Sequence, residues 1–150
     1  LVGFLYDRRH TRRISDFGGL KKSMPIYASI FLFTSFASIG LPGLNGFVGE
    51  FMILMGSYPT FKVLTSVAAF GVVLAAIYML WAYQRMFNGQ LDNDENAVLS
   101  DLNSKELVAV SPLLALMLFI GIYPSFIESY VVQDVSVIYE SISNLVGVSK

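Results

Sequence analysis

The sequence has no cysteine, a single histidine and few charged residues. Without cysteine, the chain cannot supply disulfides, thiolate nucleophiles, ligands for an iron–sulfur cluster or cysteine-rich zinc sites. Asp7 is the one carboxylate at helical spacing from His10, and this pair offers too few ligands, so the sequence predicts no metal site. The net charge of −1 does not favour nucleic acid as a partner. The chain also lacks a nucleophile beside a base, paired catalytic carboxylates and a pair of haem ligands.

Apolar residues make up 55% of the 150 residues, and the mean hydropathy is +0.62. A membrane-spanning helix needs about 20 mostly apolar residues. Three stretches between ionisable residues reach this length, and they run from Lys22 to Lys62, interrupted only by Glu50, from Lys62 to Arg85, and from Glu106 to Glu128. We therefore predict an all-α fold, a polytopic bundle of transmembrane helices.

The second and third stretches predict two plain spanning helices, at 63–87 and 107–125. An Asn-x-x-Glu pattern at 103–106 resembles a capping box at the start of the latter helix. Residues 1–5 look like the last turns of a spanning helix, so we expect the chain to be a fragment of a longer protein. Residues 129–147 alternate apolar positions at helical spacing, which predicts an amphipathic surface helix, with a frayed terminus as the alternative.

The first stretch is too long for one straight crossing and too short for two. A straight helix over residues 25–58 would measure about 50 Å against about 30 Å of hydrocarbon. The preceding loop, 6–24, carries six basic residues, whereas the following loop carries only Lys62. The positive-inside rule then places the two ends on opposite faces. This favours one crossing by a discontinuous helix, broken near Pro42, over a segment that enters and leaves on one side, and it makes loops 6–24 and 88–106 cytoplasmic.

The break falls in the sequence "GLPGLNGFVGEF", residues 40–51. Its glycines do not form a phosphate-binding loop, because the Gly-Lys-Ser/Thr ending is missing. Glycine permits unusual backbone angles and close helix contacts, and proline removes a donor and kinks the chain. Irregular backbone at this depth is tolerated only beside protein or a water-filled cavity, and such breaks recur at ion sites in transporters. The predicted residues of the break and channel lining are Gly40, Pro42, Gly43, Asn45, Gly46 and Gly49.

Glu50 is the one formal charge between Lys22 and Lys62, about two turns beyond Pro42. A charge deep in a bilayer costs at least about 2.5–3.5 kcal/mol on insertion scales, so such residues are normally functional. Hydration and nearby charge decide whether a carboxylate holds its proton. We interpret Glu50 as a proton-relay residue. The alternatives are a structural ion pair and a carboxylate near the outer headgroups.

His10 and Arg12 lie in the basic loop among further arginines. An exposed loop histidine is the favoured interpretation of His10, and the arginines are most simply topology signals and headgroup contacts. The sharper hypothesis is that His10 and Arg12 make cytoplasmic-side contacts, with a proton-entry or subunit-contact role for the histidine.

Three segments in this order and spacing carry a family resemblance, and they read "LYDRRHTRRISDFGGL", "LPGLNGFVGEFMIL" and "YQRMFNG". The chain resembles, from end to end, the chain M family of antiporter-like membrane subunits of bacterial respiratory complex I, the proton-pumping NADH-quinone oxidoreductase. The resemblance implies that residues 25–58 form a discontinuous helix of that fold. It also implies that Glu50 is the carboxylate near the outer end of a half-channel relay, where sibling subunits typically carry Lys.

The resemblance further implies a multi-pass subunit of the bacterial inner membrane that couples NADH oxidation and quinone reduction to proton pumping. It implies no cofactor in this chain, since NADH, FMN, iron–sulfur clusters and quinone belong to other subunits. The implied partners are neighbouring antiporter-like subunits and lipid, and the family's earlier relay residues would lie before residue 1. One alternative is a subunit of a related cation/proton antiporter or membrane-bound hydrogenase. The other is a purely structural membrane subunit.

Overall fold

A computed structural model describes residues 1–91, 93–132 and 135, and its regular elements within these residues are all helical. A short 3-10 helix at Ile14–Asp16 accompanies seven α-helices. These are α1 (Val2–Arg9), α2 (Leu20–Ser23), α3 (Pro25–Ser38), α4 (Asn45–Ser57), α5 (Lys62–Phe87), α6 (Asp94–Ala97) and α7 (Ser104–Ile122). Residues 125–132 are also helical. Most of the amphipathic helix expected at 129–147 lies outside the described residues.

Two of the helices, α5 and α7, are long and apolar enough to cross a membrane. The third predicted crossing is divided between α3, with 14 residues, and α4, with 13. At 1.5 Å per residue each half is only about 20 Å long, less than the hydrocarbon thickness. The chain therefore interrupts this helix between residues 39 and 44, around Pro42.

Helix α7 begins at Ser104, three residues before the expected start, because a capping box extends it. The Asn103 side chain accepts from the Glu106 N–H at 2.9 Å, and the Glu106 carboxylate accepts from the Asn103 N–H at 2.8 Å. These two bonds satisfy donors that a helix start otherwise leaves unpaired. The predicted capping box is confirmed.

The main hydrophobic cluster lies where the end of α5 meets the starts of α3 and α7, which we call the loop end of the bundle. Tyr27 and Phe87 are almost completely buried there, with ring centroids 5.9 Å apart. The Phe87 ring also stacks on Tyr83 at 4.6 Å and contacts Phe31 at 5.0 Å. At the opposite end, residues 58–61 connect α4 to α5, and we call this the turn end.

Polar side chains from distant loops hold the loop end together. The Arg8 guanidinium donates to both carboxylate oxygens of Glu106 at 2.9 and 2.7 Å and to the backbone oxygens of Phe4, Ser100 and Asp101. Hydrogen bonding to Glu106 raises the pKa of Arg8 above its ordinary value. The arrangement joins the end of α1 to the first turn of α7 and to the loop before it.

The carboxylate of Asp101 caps the start of α3. It accepts from the backbone N–H groups of Ile26 at 2.8 Å and Tyr27 at 3.0 Å. Pro25 occupies the first helical position and has no N–H to satisfy, while Met24 offers no side-chain cap. Asp101, which lies in the loop before α7, thus caps the start of α3 and positions this first half of the discontinuous helix.

Candidate functional site

The break begins with a Schellman motif at the end of α3. The N–H of Leu41 bonds to Phe36 O at 3.0 Å, and the N–H of Gly40 bonds to Ala37 O at 3.4 Å. Gly40 has a φ of 73° and Gly43 a φ of 93°, a region in which L-residues with side chains are strained. A further bond of 3.1 Å from the N–H of Leu44 to Leu41 O closes the turn over Pro42. The glycines and the proline thus end α3 while keeping several backbone groups of the turn hydrogen-bonded.

The side chain of Glu50 reaches back from α4 and lies against this turn. A Cβ placed on Gly40 would collide with Glu50 Oε2 and lie 3.1 Å from Cδ. Glu50 is half-buried. The two ion pairs within the described residues, Arg8–Glu106 and Arg9–Glu95, both lie at the loop end. The carboxylate therefore occupies the break itself, away from the basic residues of the loop end.

Asn45, the first residue of α4, contributes a second polar group to the break. Its Oδ1 atom is buried and has no hydrogen-bond partner among the described residues. A buried acceptor of this kind is normally satisfied by protein or by ordered water. Its position beside an interrupted helix makes it a candidate water site.

Close backbone contacts shape the rest of the site. A Cβ on Gly46 would collide with Ala37 O, so only glycine lets the start of α4 approach the end of α3 this closely. Gly121 of α7 plays a similar part, since a Cβ there would meet the backbone of Gly43 and Leu44. Gly49 has open space beside its Cα and lines a groove beside α7.

Of the predicted site residues, the structure gathers Glu50, Gly40, Pro42, Gly43, Asn45 and Gly46 at the break, whereas His10 and Arg12 lie elsewhere. His10 ends α1 with a φ of 51°. Its ring packs edge-on against Tyr6 at 5.8 Å, and the Arg12 guanidinium lies over the same Tyr6 ring at 4.8 Å. Both side chains are exposed. They lie at the loop end and do not contact Glu50.

Sequence reasoning missed Arg8, Asp101 and Gly121 as structural determinants, together with the buried Asn96. The Asn96 side chain accepts from Arg9 Nε at 2.9 Å and donates to Asp16 O at 3.1 Å, which joins the two long loops. These contacts link residues 80 or more positions apart. Local patterning does not reveal them, apart from the capping box that marks Glu106.

A helix interrupted in an apolar stretch, with a carboxylate against the break and two spanning helices beside it, defines a polytopic membrane protein with a discontinuous helix. The family model described as NADH:quinone oxidoreductase/Mrp antiporter, TM, matches residues 1–77. The chain belongs to this family. The predicted all-α transmembrane bundle with one broken helix is confirmed.

Individual relatives show which subunits of this family the chain resembles. It is 44% identical over 138 residues to NADH-quinone oxidoreductase subunit M of Rhodobacter capsulatus, covering 90% of this chain and 26% of the relative. It is 38% identical over 146 residues to NADH-ubiquinone oxidoreductase chain 4 of Marchantia polymorpha, covering 97% and 28%. A chain of respiratory complex I from Thermus thermophilus, solved with bound NADH, matches with a TM-score of 0.74 and 34% identity over 83% of this chain and 26% of that one. The chain thus spans about a quarter of the length of its relatives.

Proposed function

We propose that this chain is part of a proton-translocating membrane subunit of an NADH-quinone oxidoreductase, in which Glu50 exchanges protons with water held at the helix break. The observation that carries the proposal is the position of the Glu50 carboxylate against the Gly40 turn. An ionisable group among apolar helices is a functional group by default. A break in a helix supplies the polar backbone that such a group needs.

Asn45 supports the presence of water at this point. Its buried Oδ1 lacks a protein partner within the described residues, and a water bridging it to nearby polar backbone would satisfy it. A carboxylate that can bond to such water can take up a proton and release it again, which is the elementary step of a relay.

The redox chemistry belongs, on this proposal, to other subunits. NADH, FMN, the iron–sulfur clusters and quinone bind there, and this chain contributes a path for protons without a cofactor. Its partners are neighbouring antiporter-like membrane subunits and the lipid of a bacterial inner membrane. The loop end faces the cytoplasm and the turn end faces the outer side, as the basic residues of loop 6–24 indicate.

The test is Glu50→Gln in the full-length protein within its complex, reconstituted in vesicles. We expect fewer protons translocated per NADH oxidised, because glutamine has the size of glutamate but cannot exchange a proton. Quinone reduction is measured in the same preparation to establish that the complex is intact.

Two variants control this experiment. Glu50→Asp retains a titratable carboxylate and should preserve part of the pumping. Asp94→Asn removes an exposed loop carboxylate and should leave the proton-to-NADH ratio unchanged. Normal pumping by Glu50→Gln would refute the relay role.

A cation/proton antiporter subunit is the second candidate, because the family that matches residues 1–77 includes the Mrp antiporters. Such a subunit would move protons in exchange for sodium without NADH. Vesicles carrying the complex therefore separate the two functions. A sodium gradient that drives proton movement in the absence of NADH would favour the antiporter, whereas NADH-driven, sodium-independent pumping supports our proposal.

A further inference from the structure

A groove on the other side of α4 from Glu50 leads from the break toward the turn end. Its volume is about 330 Å³. Helix α4 lines it with Asn45, Gly49 and Met52, and the chain beyond α7 lines it with Pro124 and Glu128. The three α4 residues share one helix face, because they follow helical spacing. The groove therefore has an amide at one end and a carboxylate among apolar residues.

Helical geometry shows how these two polar groups are arranged along the bundle. Gly121 lies against the backbone of Gly43 and Leu44, so α7 reaches the level of the break there. Helix α7 ends at Ile122, and Glu128 in the following helical turns lines the same groove as Met52, which lies about two turns along α4 from Asn45. Glu128 accordingly lies beside α4 on the turn-end side of the break, and Asn45 stands at the break.

The surroundings of the Asn45 amide and the Glu128 carboxylate favour water in this groove. Asn45 Oδ1 is buried without a partner in the described part of the chain, and Glu128 is half-buried. A carboxylate in such surroundings must be hydrated, paired or protonated. At about 30 Å³ of liquid volume per molecule, the groove has room for on the order of ten waters.

We propose that this groove is the outward path for protons and that Glu128 is the group that releases them at the turn end. The inference rests on the proposed function, since Glu50 supplies the proton. Glu50 breaks its O–H bond and protonates water at Asn45, and the water chain passes a proton to the Glu128 carboxylate. Glu128 then breaks its new O–H bond and protonates water on the outer side. No electron moves. Glu128 ends as the carboxylate it was at the start, whereas Glu50 is left as a carboxylate and takes up its next proton from the cytoplasmic side of the relay.

The first test is a pair of variants at Glu128 in the full-length protein within its complex. Glu128→Gln should lower the number of protons translocated per NADH oxidised, while Glu128→Asp should restore part of that loss because it retains a titratable group. Normal pumping by Glu128→Gln would overturn the proposal. Equal losses in both variants would also overturn it, since they would show that packing, and not proton exchange, is what matters.

The second test probes the groove directly from the outer side with a membrane-impermeant thiosulfonate, in a cysteine-free background. Met52→Cys lines the groove and should react, and the reaction should reduce pumping. Ile53→Cys is the matched control, because Ile53 is 68% exposed on a different face of the same helix and should face lipid. Equal labelling of the two cysteines, or labelling of Met52→Cys without loss of pumping, would contradict a water-filled path.

The two proposals fail in different ways. Normal pumping by Glu50→Gln removes the relay, whatever the groove does. Loss of pumping by Glu50→Gln together with an unreactive Met52→Cys leaves the relay in place and removes only the path through this groove.

Discussion

Gly40 and Gly43 both have positive φ angles, but only Gly40 contacts Glu50. Comparing the same substitution at the two positions therefore measures the effect of that contact. Both have positive φ, at 73° and 93°, so replacement by alanine should cost each roughly 1–2 kcal/mol. A Cβ on Gly40 would also collide with the Glu50 carboxylate, whereas a Cβ on Gly43 would meet nothing within 4 Å. We expect Gly40→Ala to lower the thermal midpoint and NADH-driven pumping more than Gly43→Ala does.

A double variant tests the cause of that difference. If the collision with Glu50 is responsible, shortening Glu50 to alanine should remove the additional loss of stability of Gly40→Ala, which appears as coupling in a double-mutant cycle. Thermal unfolding of the wild type, both single variants and the double variant measures it. Indistinguishable midpoints for Gly40→Ala and Gly43→Ala would show that the carboxylate does not press on this turn.

Residues whose effect is local were predictable from the sequence, and residues that act through distant contacts were not. The Gly and Pro residues of the break alter their own backbone, and Glu50 is conspicuous as the single charge between Lys22 and Lys62. Gly121, by contrast, lies in an apolar helical stretch, where nothing in the neighbouring sequence predicts a role for it. Its role depends on the backbone of Gly43 and Leu44, far away in the chain.

At the scale of elements, the start of α3 depends on a cap from another loop. Asp101 accepts from Ile26 N–H through Oδ2 and from Tyr27 N–H through Oδ1. Asp101→Ala should destabilise the folded protein by roughly 0.5–2 kcal/mol, the usual range for loss of an N-terminal cap. Asp101→Asn keeps one acceptor oxygen and should fall between alanine and the wild type. Thermal midpoints of the purified complex check this order.

The control for this prediction is Asp94→Ala, which changes an exposed carboxylate in the same loop and should leave the midpoint nearly unchanged. If Asp101→Ala behaves like Asp94→Ala, the cap does not stabilise α3. The partners of Asp101 are 74 and 75 positions away in the sequence. The length of the apolar stretch predicted the discontinuous helix but could not predict that Asp101 caps its start. The capping box of α7 could be predicted, because its residues lie close together in the sequence, at 103–106.

At the scale of the whole molecule, the contacts at the loop end constrain how the chain crosses the membrane. The two long loops share a network in which Arg9 bonds to Asn96 and pairs with Glu95. They therefore lie on the same side. Helix α5, with 26 residues, is about 39 Å long, enough to carry the chain from the turn end to the loop end through the hydrocarbon.

This arrangement predicts which positions react from each side of the membrane. Ser15 and Val98 lie in the two loops of the loop end, and Thr60 lies in the turn between α4 and α5; all three are exposed. Single cysteines at Ser15 and Val98 should react with an impermeant maleimide only from the cytoplasmic side, and a cysteine at Thr60 only from the outer side, because α5 separates them. Inside-out and right-side-out vesicles of the full-length complex give the measurement. Reaction of Ser15→Cys and Thr60→Cys from the same side would mean that residues 25–58 enter and leave on one face, and the discontinuous helix would not then connect a cytoplasmic entrance to an outer exit.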